Sequence, residues 1–375
     1  MSVESFRIRS VRAACYRFPL STPVVTSFGR MLNRPAVFVQ IEDDDGLTGW
    51  GEVWCNFPSV GGEHRTRIVN EILAPLIEGS SISHPQDTFT QLSQQIDVLA
   101  LQSGEPGPFA HSIAGIDLAL WDLLAKRQKM PLWRLLGGTA PKIKVYASGI
   151  NPTGSAAMAE AAQRRGYRAF KLKIGFDEQQ DHDNLRQIRS VIGNSMLAAD
   201  ANQAWSLSEA LARSPALAEF DLAWLEEPLR ADRPRDEWKT LEQAIETPLA
   251  AGENVTGRDG FAQLIDENVV KVIQPDAAKW GGLSECLEIG RAALKAGRTF
   301  CPHYLGAGIG LLASAHLLAA VGGDGFLEID SNHNPLRDEF CGPVAAVSDG
   351  TVTLNDEPGL GITPDFAPIE KLRTA

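Results

Sequence analysis

Between residues 170 and 254 the chain holds four short pieces: FKLKIG at 170–175, LAADANQAW at 197–205, WLEEP at 224–228 and LAAGEN at 249–254. Three of them close an apolar segment with a carboxylate, at Asp200, Glu226 and Glu253, and the two steps between these acids are nearly equal. Each step is about 25 residues, the length of chain that one strand, one helix and two short loops use. The same step leads back from Asp200 to Lys173, and forward from Glu253 through Asp276 and His303 to Glu328. Seven ionisable residues thus recur once per βα unit, each just behind an apolar run. This pattern predicts an α/β protein built on a (β/α)8-type (modified TIM) barrel. Its functional residues would sit at the C-terminal strand ends, so that distant parts of the chain converge on one pocket.

The 375 residues exceed one small domain and suit a barrel plus a smaller unit. With 44 % apolar and 22 % charged residues, the chain has material for a large core. No apolar run approaches the roughly 18 residues of a membrane span, and MSVESFRIRS lacks the apolar centre of a signal peptide. Cys15, Cys55, Cys286, Cys301 and Cys341 are scattered and never form a CxxC pair, which predicts reduced, mostly buried thiols and a cytoplasmic protein. A formal charge of −12 argues against nucleic acid or an anionic membrane surface as partner. A small anionic substrate stays compatible, because a bound divalent cation inverts the local charge.

Residues 5–19 and 36–53 alternate apolar and polar positions, broken once by a DDDG turn, and predict antiparallel strands. STPVVTSFGRMLNR at 21–34 has no periodicity and is expected to be a loop, as is WCNFPSVGGEHR at 54–65. A helical pattern follows from about 65 to 100, then SIAGIDLALWDLLAK at 112–126, and PLWRLLGG ends a short helix at a glycine pair. The barrel is expected to begin at KVYASGI, 144–150, and to run to about 335. TVTL and PGLG in the tail are expected to pack back on the N-terminal region. The expected organisation is an α+β capping domain of residues 1–135 completed by 341–375, and a barrel domain of 136–340.

Three acids meeting at one barrel mouth would repel strongly unless a cation lay between them, and a hard ion such as Mg²⁺ favours oxygen ligands. Either Glu226 or Glu227 could be the middle ligand; strand alternation favours Glu226, because Glu227 would lie on the other side of the pleat. Lys171 and Lys173 share a face, and two adjacent ammonium groups are expected to bring a lysine down toward about 7–8, where it can act as a base. Asp276 and His303 fall at the ends of adjacent strands, where a carboxylate can fix the imidazole tautomer. Glu328 is expected either to hydrogen-bond a substrate carboxylate as a neutral acid or to balance charge. Asn202 points the same way as Asp200 and can donate to a substrate oxygen, and Lys279 is left without a role.

Taken together, ALWDLLAK with PLWRLLGG, KLK, DAN, EEP, GEN, Asp276, His303 and Glu328 resemble the enolase superfamily in its mandelate racemase-like subgroup, over nearly the whole chain. Muconate-cycloisomerase-like relatives carry a lysine where this chain has Asp276. The resemblance implies one Mg²⁺ per chain on Asp200, Glu226 and Glu253, and an enediolate formed by loss of the proton α to a carboxylate. It places Lys173 on one face of that carbon and His303, oriented by Asp276, on the other. Lys171 would contact the carboxylate and Glu328 would donate to the enediolate. The 21–34 and 54–65 loops would close the pocket, with Trp54 and Arg30 touching a small carboxylate substrate. These loops also hold Phe28, Phe57, Asn56, His64 and Arg65, more apolar than a long polyol would suggest. Dehydration of a sugar acid is the leading expectation, and racemisation or epimerisation the alternative. Relatives of this kind are often homo-oligomers, from dimer to octamer.

Overall fold

The computed structural model describes residues 5–27 and 29–375. Strands β1 (Phe6–Thr26), β2 (Gly29–Asp43), β3 (Thr48–Val53) and β4 (Ser81–Ile82) form an antiparallel sheet in the order β3-β2-β1-β4. The stretch 21–34, expected to be a loop, is instead the far end of a long hairpin, in which Val24 pairs with Met31 and Thr26 with Gly29. A register shift between Pro19 and Val24 breaks the two-residue alternation, and this is why the strand signal is lost there. Phe28 lies outside the described residues. Helix Pro106–Arg127 is buried over nearly all of its last four turns, as its continuous apolar run requires. It fills the seam between sheet and barrel: Trp121 Nε1 donates to Ser284 Oγ (2.9 Å), and Ser284 N donates to Asp117 Oδ2 (3.0 Å).

Eight parallel strands follow: β5 (Lys142–Ile150), β6 (Ala169–Lys173), β7 (Met196–Asp200), β8 (Leu225–Glu226), β9 (Leu249–Ala251), β10 (Val270–Ile273), β11 (Thr299–Phe300) and β12 (Phe326–Asp330). Their order, β11-β10-β9-β8-β7-β6-β5-β12, makes a nearly closed barrel beneath the N-terminal capping region. At the seam between β11 and β12, a Cβ on Gly325 would lie 1.8 Å from the Phe300 carbonyl oxygen, so only glycine permits that approach. The tail goes two ways. β13 (Thr351–Thr353) pairs antiparallel with β5 of the barrel, whereas PGLG and the last residues return to the cap: Leu132 N donates to the Gly359 carbonyl (2.8 Å), Leu360 N to Asp122 Oδ1 (2.7 Å) and Thr374 N to the Cys15 carbonyl (2.8 Å). All five cysteines are free and buried. Among the described residues no helix is long and apolar enough to cross a membrane.

Helix Gly308–Val321 is apolar all round and buried, yet it carries His316. Its Nδ1 accepts from Trp133 N (2.9 Å) and its Nε2 donates to the Leu360 carbonyl (3.3 Å), tying helix, short helix and tail together. Burial lowers its pKa to about 4. A group depressed in the folded state stabilises fully above its unfolded value, about 6.5, and loses that contribution as pH falls toward 4. His316→Asn, which keeps an acceptor for Trp133 N, is therefore expected to flatten the loss of urea resistance between pH 7 and 5, by up to about 1.4 kcal/mol per pH unit. Equal pH sensitivity in the variant and the parent would contradict this.

Candidate active site

Side chains alternate between the inside and outside of a barrel strand. Tyr146, Ala169, Ala198, Trp224, Ala250, Val272 and Cys301 form a small buried cluster of their own. Two residues further along the same strands come Ser148, Lys171, Asp200, Glu226, Gln274 and His303, and Glu328 follows the half-buried Phe326 in the same way; all are buried. The apolar layer below thus supports a polar layer above it. Glu253 departs from this register because it follows Gly252, whose φ of +153° and close approach to the Gln274 backbone suit only glycine.

Lys171 is the centre of that layer. Its Nζ lies 2.7 Å from Glu226 Oε1, 2.8 Å from Glu328 Oε1 and 3.8 Å from Asp200 Oδ2. Lys173 Nζ is 2.6 Å from Asp200 Oδ2. Asn202, at a φ of 45°, donates its backbone N–H (2.8 Å) and its amide (3.1 Å) to the Asp200 carboxylate. Burial by itself lowers both lysines, but the carboxylates outweigh it: Glu226 and Glu328 for Lys171, Asp200 for Lys173. Both are held above the ordinary lysine value. This corrects the expectation that Lys171 brings Lys173 down toward neutrality: Lys171 does push that way, and Asp200 at 2.6 Å wins. Glu328 accepts from Ser148 Oγ and from Tyr304 N (3.0 Å). Burial raises its pKa, yet Lys171 and His303 carry it down to about 2. In this arrangement the charged form, the one that balances charge, is favoured.

His303 Nδ1 lies 2.8 Å from Asp276 Oδ2, while Nε2 lies 3.1 Å from Glu253 Oε2. Ala278 N, 2.9 Å from Asp276 Oδ1, holds the acid in place. Burial opposes protonation of His303, but Glu253, Glu328 and Asp276 raise its pKa to about 10. His303 and Lys173 line one cavity of about 200 Å³, together with Asn202, Glu253, Lys279 and a wall of Val24, Met31, Trp54, Phe57 and Leu305. Arg30 is exposed on the hairpin. The cap is pinned over this mouth by Ser27 Oγ donating to the Asn202 carbonyl (2.6 Å) and by Asn56 donating to the Leu305 carbonyl (2.7 Å). Glu52 of β3 accepts from Ala307 N (2.6 Å) and Gly310 N (2.8 Å), at the start of helix Gly308–Val321, and Arg34 pairs with Asp330.

Three residues of this network, Asn254, Gln274 and Ser148, were given no role in the sequence reading, and a fourth, Glu227, was weighed there and set on the wrong side of the strand. Glu227 does not turn away from the site: its φ is 38°, it is buried, and both its oxygens accept from Asn254 Nδ2 (3.0 and 2.8 Å). Asn254 also donates to Glu253 Oε1 (3.2 Å). Gln274 donates to Glu226 Oε2 (2.8 Å), and Ser148 holds Glu328. Gln274 and Ser148 were within reach of the two-residue parity that locates Lys171 and Asp200. Glu227 was not, because a left-handed backbone breaks that parity.

Residues 8–137 match the mandelate racemase/muconate lactonizing enzyme N-terminal domain, and residues 155–368 match the enolase C-terminal domain-like family. The chain belongs to the enolase superfamily. A solved mandelate racemase/muconate lactonizing enzyme from Bordetella bronchiseptica RB50 is 48 % identical with a TM-score of 0.94, covering 98 % of this chain and 100 % of its own. D-galactarolactone cycloisomerase of Agrobacterium fabrum is 30 % identical over 374 residues, 95 % of this chain and 96 % of that relative. L-talarate/galactarate dehydratase from Salmonella typhimurium LT2, solved with Mg and L-lyxarohydroxamate, is 27 % identical with a TM-score of 0.85, covering 99 % of this chain and 94 % of its own. Since such relatives are dehydratases, cycloisomerases, synthases and racemases, this chain is an enzyme of lyase or isomerase type.

Does the site suit magnesium? Asp200, Glu226, Glu227, Glu253, Asp276 and Glu328 are six carboxylates, set against four basic groups, Lys171, Lys173, Lys279 and His303. With all of them charged, two negative charges remain, the complement of one divalent ion. The surplus is visible in the acids themselves. Burial, with Asp200 and Glu328 nearby, pushes Glu226 up to about 7 despite Lys171, and burial beside Glu253 and Asp200 pushes Glu227 well above the carboxylate range. Among the described residues no three ligands are already drawn together as a metal-holding group. Lys171 and Lys173 hold Asp200 and Glu226, and His303 holds Glu253. The donors are oxygens at the ends of neighbouring strands, and the set fits a hard cation in chemistry and charge. Mg²⁺ is expected to raise the melting temperature, by the equivalent of about 2.7 kcal/mol at a hundredfold excess over its Kd. Asp200→Asn and Glu226→Gln should each lose most of that shift in a thermal melt. An unchanged shift in both variants would count against the site.

Proposed function

We propose that this enzyme removes the proton α to a substrate carboxylate and then expels water from the adjacent carbon, as in dehydration of a small sugar acid. The observation that carries this reading is that Lys173 and the Asp276-bound His303 line the same cavity. Their strands, β6 and β11, are three strands apart round one side of the barrel and five round the other, which favours approach to one carbon from two sides. Bound through Asp200, Glu226 and Glu253, Mg²⁺ would supply Lewis-acid stabilisation of the negative charge that develops on the substrate carboxylate. Lys171 adds a fixed positive charge beneath the same group. With Asp200 and Glu253 engaged by the ion, the acids that hold Lys173 and His303 protonated no longer do so, and one of the two would lose its proton and take the α-proton. The imidazolium of His303 gives its Nε2 proton to the departing hydroxyl as the C–O bond breaks, and Asp276 keeps the other nitrogen protonated and oriented. The enol left behind takes a proton at the β-carbon to become a keto acid, so that one water is released per substrate. A second reading, racemisation by return of a proton from the opposite side, is favoured by the apolar wall of Val24, Met31, Trp54 and Phe57, a poor lining for a long polyol.

Incubation with Mg²⁺ and a panel of mono- and dicarboxylic sugar acids in D₂O separates the two. Keto-acid formation marks dehydration, and α-deuterium without loss of water marks racemisation. Neither outcome with any acid would overturn the proposal. His303→Asn is expected to lower turnover by about 10²–10⁴-fold or to confine exchange to one α-epimer. Full activity toward both epimers in that variant would remove His303 from the mechanism.

A further inference from the structure

Lys279 has no part in the reaction just described, yet it faces the same cavity. It belongs to the turn that carries Asp276, its backbone N–H donating to the Asp276 carbonyl (3.0 Å), so its position is tied to the reacting groups. The neighbouring Ala278 carbonyl accepts from Trp54 N (3.0 Å), which locks the cap loop onto this turn. Lys279 Nζ donates to Asn254 Oδ1 (2.6 Å) and lies 4.6 Å from the centre of the Trp54 ring. Its nearest ion-pair partner, Glu253, is at 3.7 Å, beyond hydrogen-bond distance, and is closer to His303. Lys173 and His303 each have a carboxylate within hydrogen-bond reach. Among the described residues, the only close hydrogen-bond acceptor of Lys279, a cation in the cavity wall, is a neutral amide. Its ring contact is not exclusive either, since Arg65 lies 5.6 Å from the same indole. With its side chain only 13 % exposed, water satisfies the remaining N–H groups poorly.

We infer that Lys279 binds the end of the substrate remote from the reacting carbon, and that this end carries a second carboxylate. The inference rests on the reading of the cavity as the substrate site. An anion there gains a charge-assisted hydrogen bond beside apolar walls that weaken screening. A methyl or hydroxyl end would leave the ammonium with Glu253, at 3.7 Å and shared with His303, as its nearest counter-charge. The favoured substrates are short α-hydroxy diacids, with few hydroxyls between the ends to face Trp54, Phe57 and Leu305.

Titration calorimetry on the full chain in magnesium chloride tests this with two matched pairs, malate against α-hydroxybutyrate and α-hydroxyglutarate against α-hydroxyvalerate. In the parent enzyme at least one diacid is expected to bind about tenfold or more tightly than its partner, equivalent to about 1.4 kcal/mol. In Lys279→Met that ratio falls to near one, and in Lys279→Arg it is kept. A parent enzyme without preference, undetectable binding of both pairs included, overturns the inference, as does a preference that survives in Lys279→Met. If Lys279→Met binds neither acid, the arginine variant decides: a kept preference supports the assignment and a lost one overturns it. A parent enzyme that prefers the diacid but exchanges no α-hydrogen overturns proton abstraction and leaves this inference standing.

Discussion

A charge that cannot reach water has to be balanced by its neighbours, and this chain gathers six acids and four bases, all but the half-buried Glu253 and Lys279 fully buried, at the mouth of one barrel. The cost of burying any one of them alone would exceed the margin by which a domain is stable. They persist because each carboxylate touches an ammonium, an imidazole, an amide or a backbone N–H. Lys171 illustrates this, since two carboxylates lie within hydrogen-bond reach of its Nζ and a third at 3.8 Å. The balance still falls two positive charges short. That surplus of negative charge is the complement of one divalent ion.

The capping region gives the network its low-dielectric surroundings. Glu52, placed by β3 at the first N–H groups of helix Gly308–Val321, meets the partial positive charge of a helix start. Arg34 and Asp330 add a buried ion pair, so cap and barrel are joined by buried polar pairs as well as by packing. Between these anchors Trp54 lies against Lys279 and Arg65. The indole that walls the cavity is thereby held from two sides. The cavity it bounds, about 200 Å³, lies below the roughly 300 Å³ at the low end of ordinary ligand pockets, in keeping with a small acid.

Much of this was legible from spacing alone. A near-constant step between carboxylates, lysines or histidines, each behind an apolar run, is the imprint of strand ends on one rim, and it located Lys173, Asp200, Glu226, Asp276, His303 and Glu328. Three things were not legible, each for a physical reason. The hairpin over 21–34 was hidden by a register shift that scrambles alternation. Glu227 was misplaced because a φ of 38° is a property of the folded backbone that residue type does not announce. The direction of the Lys173 shift depends on whether Lys171 or Asp200 is nearer, a matter of ångströms that no spacing encodes. A neutral partner such as Asn254, off the two-residue parity, carries no charge to betray it, although it orients the groups that do.

The central claim is that one divalent ion and two proton carriers surround a single carbon. A crystal structure of the Mg²⁺-loaded enzyme with a bound α-hydroxy acid tests it most directly. The account predicts an ion about 2.1 Å from oxygens of Asp200, Glu226 and Glu253, with Lys173 Nζ and His303 Nε2 on opposite faces of the α-carbon. An ion held elsewhere, or both nitrogens on one face, would contradict it.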